Sequence, residues 1–242
     1  MLYIKDFEKH SDYEAYINGS DKVLPNVSVC DDEPTHVHFN LAPIYEAVDL
    51  GLPSGTLWAK CNVGAETETE YGDYFIWGST TPDTNNTCDW AHASFNNGSS
   101  SFDSAYFNEH KAEWLDGDVL KPEYDAAHVI MGGNWRMPTD ADIEELLEGT
   151  TNVWVTNYQG SGKNGRLFTS KTNSNTMFFP AAGYRRGSSF GDQGTNGYVW
   201  SSLLNTGSPN DAWGLYFNSS GCGMYGYYYR YYGYSVRGVI KP

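Results

Sequence analysis

The sequence predicts an α+β domain of many short strands and two helices, preceded by a small N-terminal extension. From Val48 onward, short apolar or aromatic runs such as "VDLGLPSGTLWAKCNVG" and "YGDYFIWGST" are separated by Gly and Pro. That pattern is typical of short strands joined by turns. Two helical segments interrupt it, and after Thr150 strand-like runs return, ending with "YSVRGVI". Strands combined with a few helices in this way belong to the α+β class.

The two predicted helices lie in the middle of the domain. "KPEYDAAHVIMGG" has Pro122 near its start and glycines at its end. "PTDADIEELLEGT" follows Thr139 as an N-cap and places Ile143 and Leu146 on one face. The polar stretch "TNNTCDWAHASFNNGSSSFDSAYFN" between the early strands and these helices is predicted to be a long loop.

The N-terminal residues differ from the rest and are treated as an extension. Ser11 and Glu14 have the spacing of a capping box and Gly19 follows, which predicts a short helix. The acidic stretch "DDEPTHVHFNLAP" is typical of a turn or linker. We therefore divide the chain into an extension, residues 1–46, and a domain, residues 47–242. The extension is too small for a core of its own, so we expect it to dock on another surface.

Composition argues against several classes of partner. The formal net charge is −15, and an acidic surface repels nucleic-acid phosphates and anionic lipids. No segment approaches the ~18 consecutive apolar residues of a membrane span, so no membrane insertion is expected. The start "MLYIKDFEKH" lacks the apolar region of a signal peptide, which favours synthesis in the cytoplasm. The widely separated cysteines are expected to be free thiols: Cys30, Cys61, Cys88 and Cys222.

Six motifs occur in an order that resembles C-type lectin-like domains of Bacteroides-type proteins and their phages. They are "VDLGLPSGTLWAKCNVG", "YGDYFIWGST", "GGNWRMPTDADIEELL", "FFPAAGYR", "GYVWSS" and "GYSVRGVI", and they span roughly residues 48–240. The resemblance implies a C-type lectin-like domain, a fold shared with formylglycine-generating enzymes. Tryptophans inside the motifs are expected to lie in the core: Trp58, Trp77, Trp135 and Trp200. Val236 and Ile240 are expected there too, and Arg136 and Arg237 are expected to have structural roles.

Within this superfamily the chain most resembles the variable proteins of diversity-generating retroelements. In those proteins, adenine-specific mutagenesis rewrites a C-terminal segment, and asparagine codons become codons for Tyr, Ser, Gly, Cys or Asp but never for Lys, Glu or Gln. Residues 194–240 contain no Lys, Glu or Gln and are rich in Tyr, Gly, Ser and Asn. The resemblance therefore implies a variable region at about residues 203–234.

The segment "MYGYYYRYYGYSVRG" contains seven tyrosines. Tyrosine offers a large contact area with only two side-chain torsions, and it is the main contact residue of antibody paratopes. Tyr227, Tyr228 and Tyr229 are consecutive, so both faces of a strand would be aromatic and one face would be exposed. Packing in an aromatic core is the alternative. The candidate ligand-binding, variable residues are Gly214, Tyr216, Ser220, Gly221, Cys222, Gly223, Tyr225, Gly226, Tyr227, Tyr228, Tyr229, Tyr231 and Tyr232.

We expect a hairpin to bring these residues together. "AWGLYFNSS" would form its first strand and "RYYGYSVRG" its return strand. Ser219, Ser220, Gly221 and Gly223 would supply the turn.

The resemblance implies a hypervariable receptor-binding (tropism) protein of a phage tail, made in the bacterial cytoplasm and located in the virion. Its partners would be a host-surface protein or glycan and other phage tail proteins, and it would form a homotrimer. The start of the chain also resembles leaders of Bacteroides phage tail-associated proteins, which implies virion attachment or oligomerisation for the extension. The alternative is a fixed-specificity bacterial lectin or adhesin of the same fold.

No enzymatic activity is expected. Cys222 has no neighbouring cysteine of the kind that formylglycine-generating enzymes use, and no local Ser/His/Asp signature is present. His36 and His38 alone do not make a metal site. We therefore expect no catalytic residue, no metal ligand and no cofactor, while a structural calcium ion is left open.

Overall fold

The computed structural model describes residues 45–241 and three two-residue strands that precede them. The chain divides into two compact units, residues 1–44 and 45–242. In the first unit, β1 (Leu2–Tyr3), β2 (Tyr16–Ile17) and β3 (Ser20–Asp21) pair as antiparallel neighbours. The helix predicted after Ser11 is therefore wrong at Tyr16–Ile17, and its other residues lie outside the described part. Cys30, His36 and His38 lie outside it as well.

The second unit mixes strands and helices, which confirms the α+β class. Its strands are β4 (Ala47–Val48), β5 (Leu57–Ala59), β6 (Leu115–Asp116), β7 (Val119–Leu120), β8 (Thr150–Val155), β9 (Gly165–Ser170), β10 (Thr176–Pro180), β11 (Tyr184–Arg186), β12 (Ser189–Gly191), β13 (Asn196–Leu204), β14 (Asp211–Asn218), β15 (Cys222–Tyr229) and β16 (Val239–Ile240). Its α-helices are α1 (Ser104–Trp114), α2 (Ala126–Met131) and α3 (Asp140–Gly149), and Pro122–Tyr124 and Tyr158–Gly160 form short 3-10 turns.

These strands form small antiparallel sheets. The largest, here called the central sheet, has the order β15-β14-β13-β7-β6, so β15 is an edge strand. Two three-stranded sheets have the orders β10-β9-β8 and β16-β5-β4, and β11 and β12 form a separate hairpin. The helices that the structure describes are too short or too polar to cross a membrane.

Helix α3 forms where the sequence predicts it, because its start is capped from both sides. The Thr139 hydroxyl accepts a hydrogen bond from the Asp142 amide, and the Asp142 carboxylate accepts one from the Thr139 amide at 2.8 Å. Arg136 donates to the same carboxylate at 2.6 Å. This ion pair gives Arg136 the structural role that the sequence predicts.

The other two helices differ from the prediction. "KPEYDAAHVIMGG" divides into a 3-10 turn and the shorter α2, because Asp125 leaves the helical conformation and caps α2 by accepting from the His128 amide. Helix α1 lies at the end of the stretch that was predicted to be a loop. Asp103 caps its start, and Phe107 and Trp114, two turns apart, bury one side of it. The loop prediction is therefore wrong from Ser104 onward.

Aromatic side chains dominate the core. Trp58, Trp77 and Trp200 have no exposed surface and Trp135 is 9% exposed, which confirms their predicted positions. The Trp200 indole donates to the Phe75 carbonyl oxygen at 2.8 Å, so its polar atom is satisfied inside the core. Val236 is fully buried and Ile240 is half-buried. The closing strand is shorter than predicted, because only Val239–Ile240 of "YSVRGVI" is a strand.

The residues from Gly233 to Val239, here called the C-terminal tie, connect these sheets through their backbone. Gly233 and Arg185 exchange two hydrogen bonds, as do Tyr234 and Phe75. Further along, carbonyl groups of the tie accept from the amides of Trp200, Val63, Ala59 and Arg136. The segment that follows the tyrosine-rich strand is therefore held in place by contacts with distant parts of the chain.

Replacing Trp200 by alanine is expected to lower the free energy of unfolding by about 3–5 kcal/mol, because it removes a fully buried indole and its hydrogen bond. Val153→Ala on β8, where the side chain is 56% exposed, should change stability by no more than about 0.5 kcal/mol. Urea denaturation of both variants measures the difference. Equal destabilisation would contradict the assignment of Trp200 to the core.

Candidate functional site

The tyrosine-rich segment forms the outer strand of the β14–β15 hairpin. β14 and β15 are antiparallel, and the Asn218 side chain accepts from the amides of Ser220 and Gly221 in the turn between them. The predicted first strand and the turn at Ser219–Gly221 are confirmed. The predicted return strand is wrong: it is Cys222–Tyr229, which includes Gly223, whereas "RYYGYSVRG" leads into the C-terminal tie.

A bulge in this hairpin determines which tyrosines share a face. Gly214 lies opposite Tyr225, but Ala212 lies opposite Tyr228, so Trp213 faces two residues of β15 instead of one. Tyr225 and Tyr228 are thereby placed on the same face of the central sheet, with ring centroids 5.3 Å apart. Simple alternation along β15 would have put them on opposite faces.

Three tyrosines of β15 are exposed to solvent. Tyr225, Tyr227 and Tyr229 expose 49%, 70% and 45% of their surface, and we call them the exposed tyrosine row. The rings of Tyr225 and Tyr227 lie 5.7 Å apart. Exposed aromatic side chains grouped on one strand are typical of an interaction surface.

Other tyrosines connect this row to the core. Tyr216, Tyr228 and Tyr232 are half-buried, whereas Tyr231 is 7% exposed and Tyr234 is 3% exposed. The packing alternative is therefore correct for the last two. Burial, aided by a hydrogen bond with Tyr232, raises the pKa of Tyr231 to about 12, and burial also raises the pKa of Tyr228. These phenols stay neutral near pH 7.

Two of the candidate residues are glycines with no room for a side chain. Gly214 and Gly226 are buried, and a Cβ atom would lie 2.6 Å from the Val199 carbonyl oxygen in one case and 2.7 Å from the Trp213 ring in the other. Gly221 and Gly223 have open space instead, with no atom within 4 Å of such a Cβ. Gly214 and Gly226 therefore do not belong to the accessible surface.

The remaining candidates lie at the turn. Ser220 is exposed, and Cys222 is half-buried. The Cys222 side chain packs against the core cluster that contains Phe217, and burial raises the pKa of its thiol to about 12. Such a thiol is protonated near pH 7 and is a weak nucleophile. Cys61 and Cys88 are free thiols too, so the prediction of free cysteines holds for the three that the structure describes.

A groove of about 660 Å³ lies beside the tyrosine-rich segment and was not predicted. Its walls come from two stretches that are far apart in sequence, residues 88–100 and 184–191, and from Tyr231. Trp90 and Tyr231 face each other with ring centroids 5.0 Å apart. The Gly187 amide donates to the Cys88 carbonyl oxygen at 2.9 Å and so joins the two stretches, and the bonds between Arg185 and Gly233 bring the segment of Tyr231 beside them. No local sequence signal marks such long-range pairings.

Arg230 holds the loop of Trp90 against the end of β15. Its side chain is fully buried and donates to the carbonyl oxygens of Pro209 and Ser94, at 2.8 and 3.0 Å. Its guanidinium lies over aromatic rings, the nearest being Phe107 at 4.6 Å. Burial lowers the pKa of Arg230, and the negative charge of Asp211 partly opposes this shift.

Arg237 has the structural role predicted for it. It is fully buried, donates to the Asn62 side chain and to the Lys60 carbonyl oxygen, both at 2.9 Å, and lies 4.1 Å from the Phe179 ring centre. Among the described residues it forms no ion pair with a carboxylate. Arg237 thus connects β5, β10 and the C-terminal tie rather than facing a ligand.

The described residues contain no group of three or more His, Cys, Asp or Glu side chains suited to holding a metal ion.

A family model described as a domain of unknown function, DUF8237, matches residues 164–239. The match begins just before β9 and includes the whole tyrosine-rich segment and the C-terminal tie. No curated protein and no solved structure matches the chain.

Gly214→Ala is expected to lower the free energy of unfolding by about 1–3 kcal/mol, because the new methyl group would press on the Val199 carbonyl group. The matched change Gly221→Ala should alter it by no more than about 0.5 kcal/mol, since the space there is open. Thermal unfolding of the two variants measures the difference. If both variants melt alike, the close contact at Gly214 does not limit substitution.

Proposed function

We propose that this protein binds a ligand through a tyrosine-rich surface displayed on a C-type lectin-like scaffold. The observation that supports this best is the exposed tyrosine row. It lies on the edge strand β15, and the neighbouring strand β14 packs into the core. Rigid aromatic side chains on a rigid support lose little entropy on binding.

The α+β architecture is consistent with the proposed scaffold. Small antiparallel sheets surround a tryptophan-rich core, and the six sequence motifs contribute to that core or to the C-terminal tie. The lectin-like identity itself rests on those motifs.

We further propose that a retroelement diversifies the surface. Residues 194–240 lack Lys, Glu and Gln, as expected for codons rewritten at adenines. The same segment contains positions with free space, such as Gly221, Gly223 and Tyr227, next to positions without it, such as Gly214. A diversified segment needs both, because its exposed residues must change while its backbone stays the same.

We propose that the protein is a component of a phage tail. The protein would bind a host-surface protein or glycan, attach through residues 1–46 to other tail proteins, and act as a homotrimer that gains avidity from several weak contacts. Catalysis has no part in the proposal, and the raised pKa of the Cys222 thiol agrees with that.

If the exposed tyrosine row binds the receptor, replacing Tyr225, Tyr227 and Tyr229 together by threonine should reduce host-cell adsorption by at least tenfold. Threonine keeps the strand propensity while removing the rings that would supply most of the affinity. The contacts are neutral, so adsorption of the parent should depend only weakly on salt. Adsorption is measured at low and high ionic strength.

The control for this experiment is Val153→Thr, an exposed position on a different sheet. Both variants should keep the parent's melting temperature within a few degrees, which separates binding from folding. This surface is not the receptor site if the triple variant adsorbs as well as the parent. The same follows if high ionic strength alone abolishes adsorption of the parent.

Comparison of the gene among sibling isolates should show differences concentrated at Ser220, Gly221, Gly223 and the exposed tyrosine row. Gly214, Gly226 and Arg230 should stay unchanged, because a different side chain there would disturb the core. A nearby reverse transcriptase and a near-copy of the 3′ end of the gene should accompany this pattern. Identical sequences at the exposed positions in all isolates would favour a lectin or adhesin of fixed specificity.

A further inference from the structure

The groove beside the tyrosine-rich segment is built almost entirely from an earlier part of the sequence. Its lining residues are Cys88, Asp89, Trp90, Ser100, residues 184 and 186–191, and Tyr231. All of these except Tyr231 precede residue 194, where the stretch without Lys, Glu and Gln begins. If the proposed diversification operates, it would change the exposed tyrosine row and leave nearly the whole groove unchanged.

The chemistry of the groove combines aromatic walls with hydroxyl groups. Trp90, Tyr184 and Phe190 present ring surface, and Phe190 is 51% exposed although it contacts the Tyr74 ring. Ser188 in the turn between β11 and β12 and Ser189 at the start of β12 are exposed, and their hydroxyls can give and accept hydrogen bonds. Ring faces and hydroxyls together suit a ligand that has both apolar C–H faces and many hydroxyl groups.

One cation lines the groove. Arg186 is exposed, lies with its guanidinium 5.9 Å from the Tyr232 ring, and has no carboxylate within ion-pair distance among the described residues. The acid in the groove lining, Asp89, accepts from the His92 backbone amide at 3.1 Å, and the His92 ring nitrogen Nδ1 lies 2.7 Å from the same carboxylate oxygen. Most Lys and Arg side chains of the described residues likewise have no carboxylate within ion-pair distance, and what distinguishes Arg186 is its position in the wall of the groove. A guanidinium matches a carboxylate with two parallel hydrogen bonds.

We propose that this groove binds a carboxylate-bearing saccharide, with Arg186 on the carboxylate, the aromatic walls on the sugar rings and the serines on the hydroxyls. The inference rests on the proposed function and adds to it: the groove would recognise an acidic sugar common to many receptors, while the exposed tyrosine row distinguishes among them. A site of this kind, concave with a few polar groups, is the usual form of a small-ligand site.

The probes are 3′-sialyllactose and trigalacturonate, each compared with its methyl ester, and titrated into the full chain by calorimetry. At least one acid should bind at least tenfold more tightly than its ester, because only the acid pairs with Arg186. Arg186→Gln should reduce that affinity by about tenfold, and Arg186→Lys should restore part of it. Lys111→Gln, an equal change of charge at an exposed position on α1, should leave it unchanged.

Phe190→Ala provides a second variant that does not alter charge, and it should weaken both acid and ester. The proposal is overturned if neither acid binds, if acids and esters bind equally, or if Arg186→Gln binds like the parent. Loss of binding in Lys111→Gln would also overturn it, because the effect would then come from overall charge.

The two proposals fail separately. A double variant, Tyr225→Thr with Tyr227→Thr, should keep its affinity for the acidic sugar while losing adsorption. It spares Tyr229, whose ring lies 5.6 Å from Tyr231 and 6.2 Å from Trp90 in the groove wall. Adsorption that depends on the tyrosines in a protein that binds no acidic sugar would remove only the groove proposal. Sugar binding in a protein whose adsorption ignores the tyrosines would leave the groove and remove the proposed receptor surface.

Discussion

The fold depends on the backbone bonds of the C-terminal tie. From Gly233 to Val239 the chain pairs in turn with residues near Arg185, Phe75, Trp200, Val63 and Arg136, which belong to different sheets and loops. Small sheets of this kind are only marginally stable alone, so a segment that joins several of them is what makes one core possible. Gly233 has no space for a side chain, because a Cβ atom there would lie 2.8 Å from the Cys88 sulfur. The tie is thus held by contacts on several sides, although it follows the exposed tyrosine row by only a few residues.

The exposed tyrosines of β15 and the buried C-terminal tie can lie so close in sequence because Arg230 stands between them. Before it, Tyr225, Tyr227 and Tyr229 of β15 are exposed to solvent, while Tyr231 after it contacts Trp90. A buried guanidinium is costly unless its donors find partners. Carbonyl oxygens accept from Nε and Nη1 of Arg230 and aromatic rings surround the group, while Nη2 has no hydrogen-bond partner among the described residues. The direction of the chain changes at this residue, from the outer strand of a hairpin to the interior, without a flexible linker. The exposed side chains on β15 can therefore differ in size and chemistry without altering the path of the backbone that follows.

Local signals in the sequence were sufficient for α3 and for the tryptophan core, because a capping box and large apolar residues act within a few positions. Helix α1 was missed since its amphipathic signal is weak: only Phe107 and Trp114 are buried, and a run of Asn, Gly and Ser precedes its Asp103 cap. The faces of β15 could not be assigned either, because a bulge opposite Trp213 changes the alternation and depends on pairing with β14. The groove and the burial of Tyr231 likewise follow from pairings between residues about fifty to a hundred and fifty positions apart, which a single sequence does not display.

An exposed, aromatic edge strand such as β15 is normally a liability, since it can pair with the edge of another molecule. Soluble proteins limit that risk with lysine, proline or a bulge on the edge. Residues 194–240 contain no lysine, and the proline among them, Pro209, lies outside the strands, so in this hairpin the bulge is the remaining device. The bulge twists the strand and leaves its pairing irregular, which disfavours a second strand while the side chains stay accessible. An edge that discourages backbone pairing yet presents Tyr225, Tyr227 and Tyr229 is suited to contacts made by side chains. For that reason the rings, rather than the strand itself, are the part of this surface that a partner would recognise.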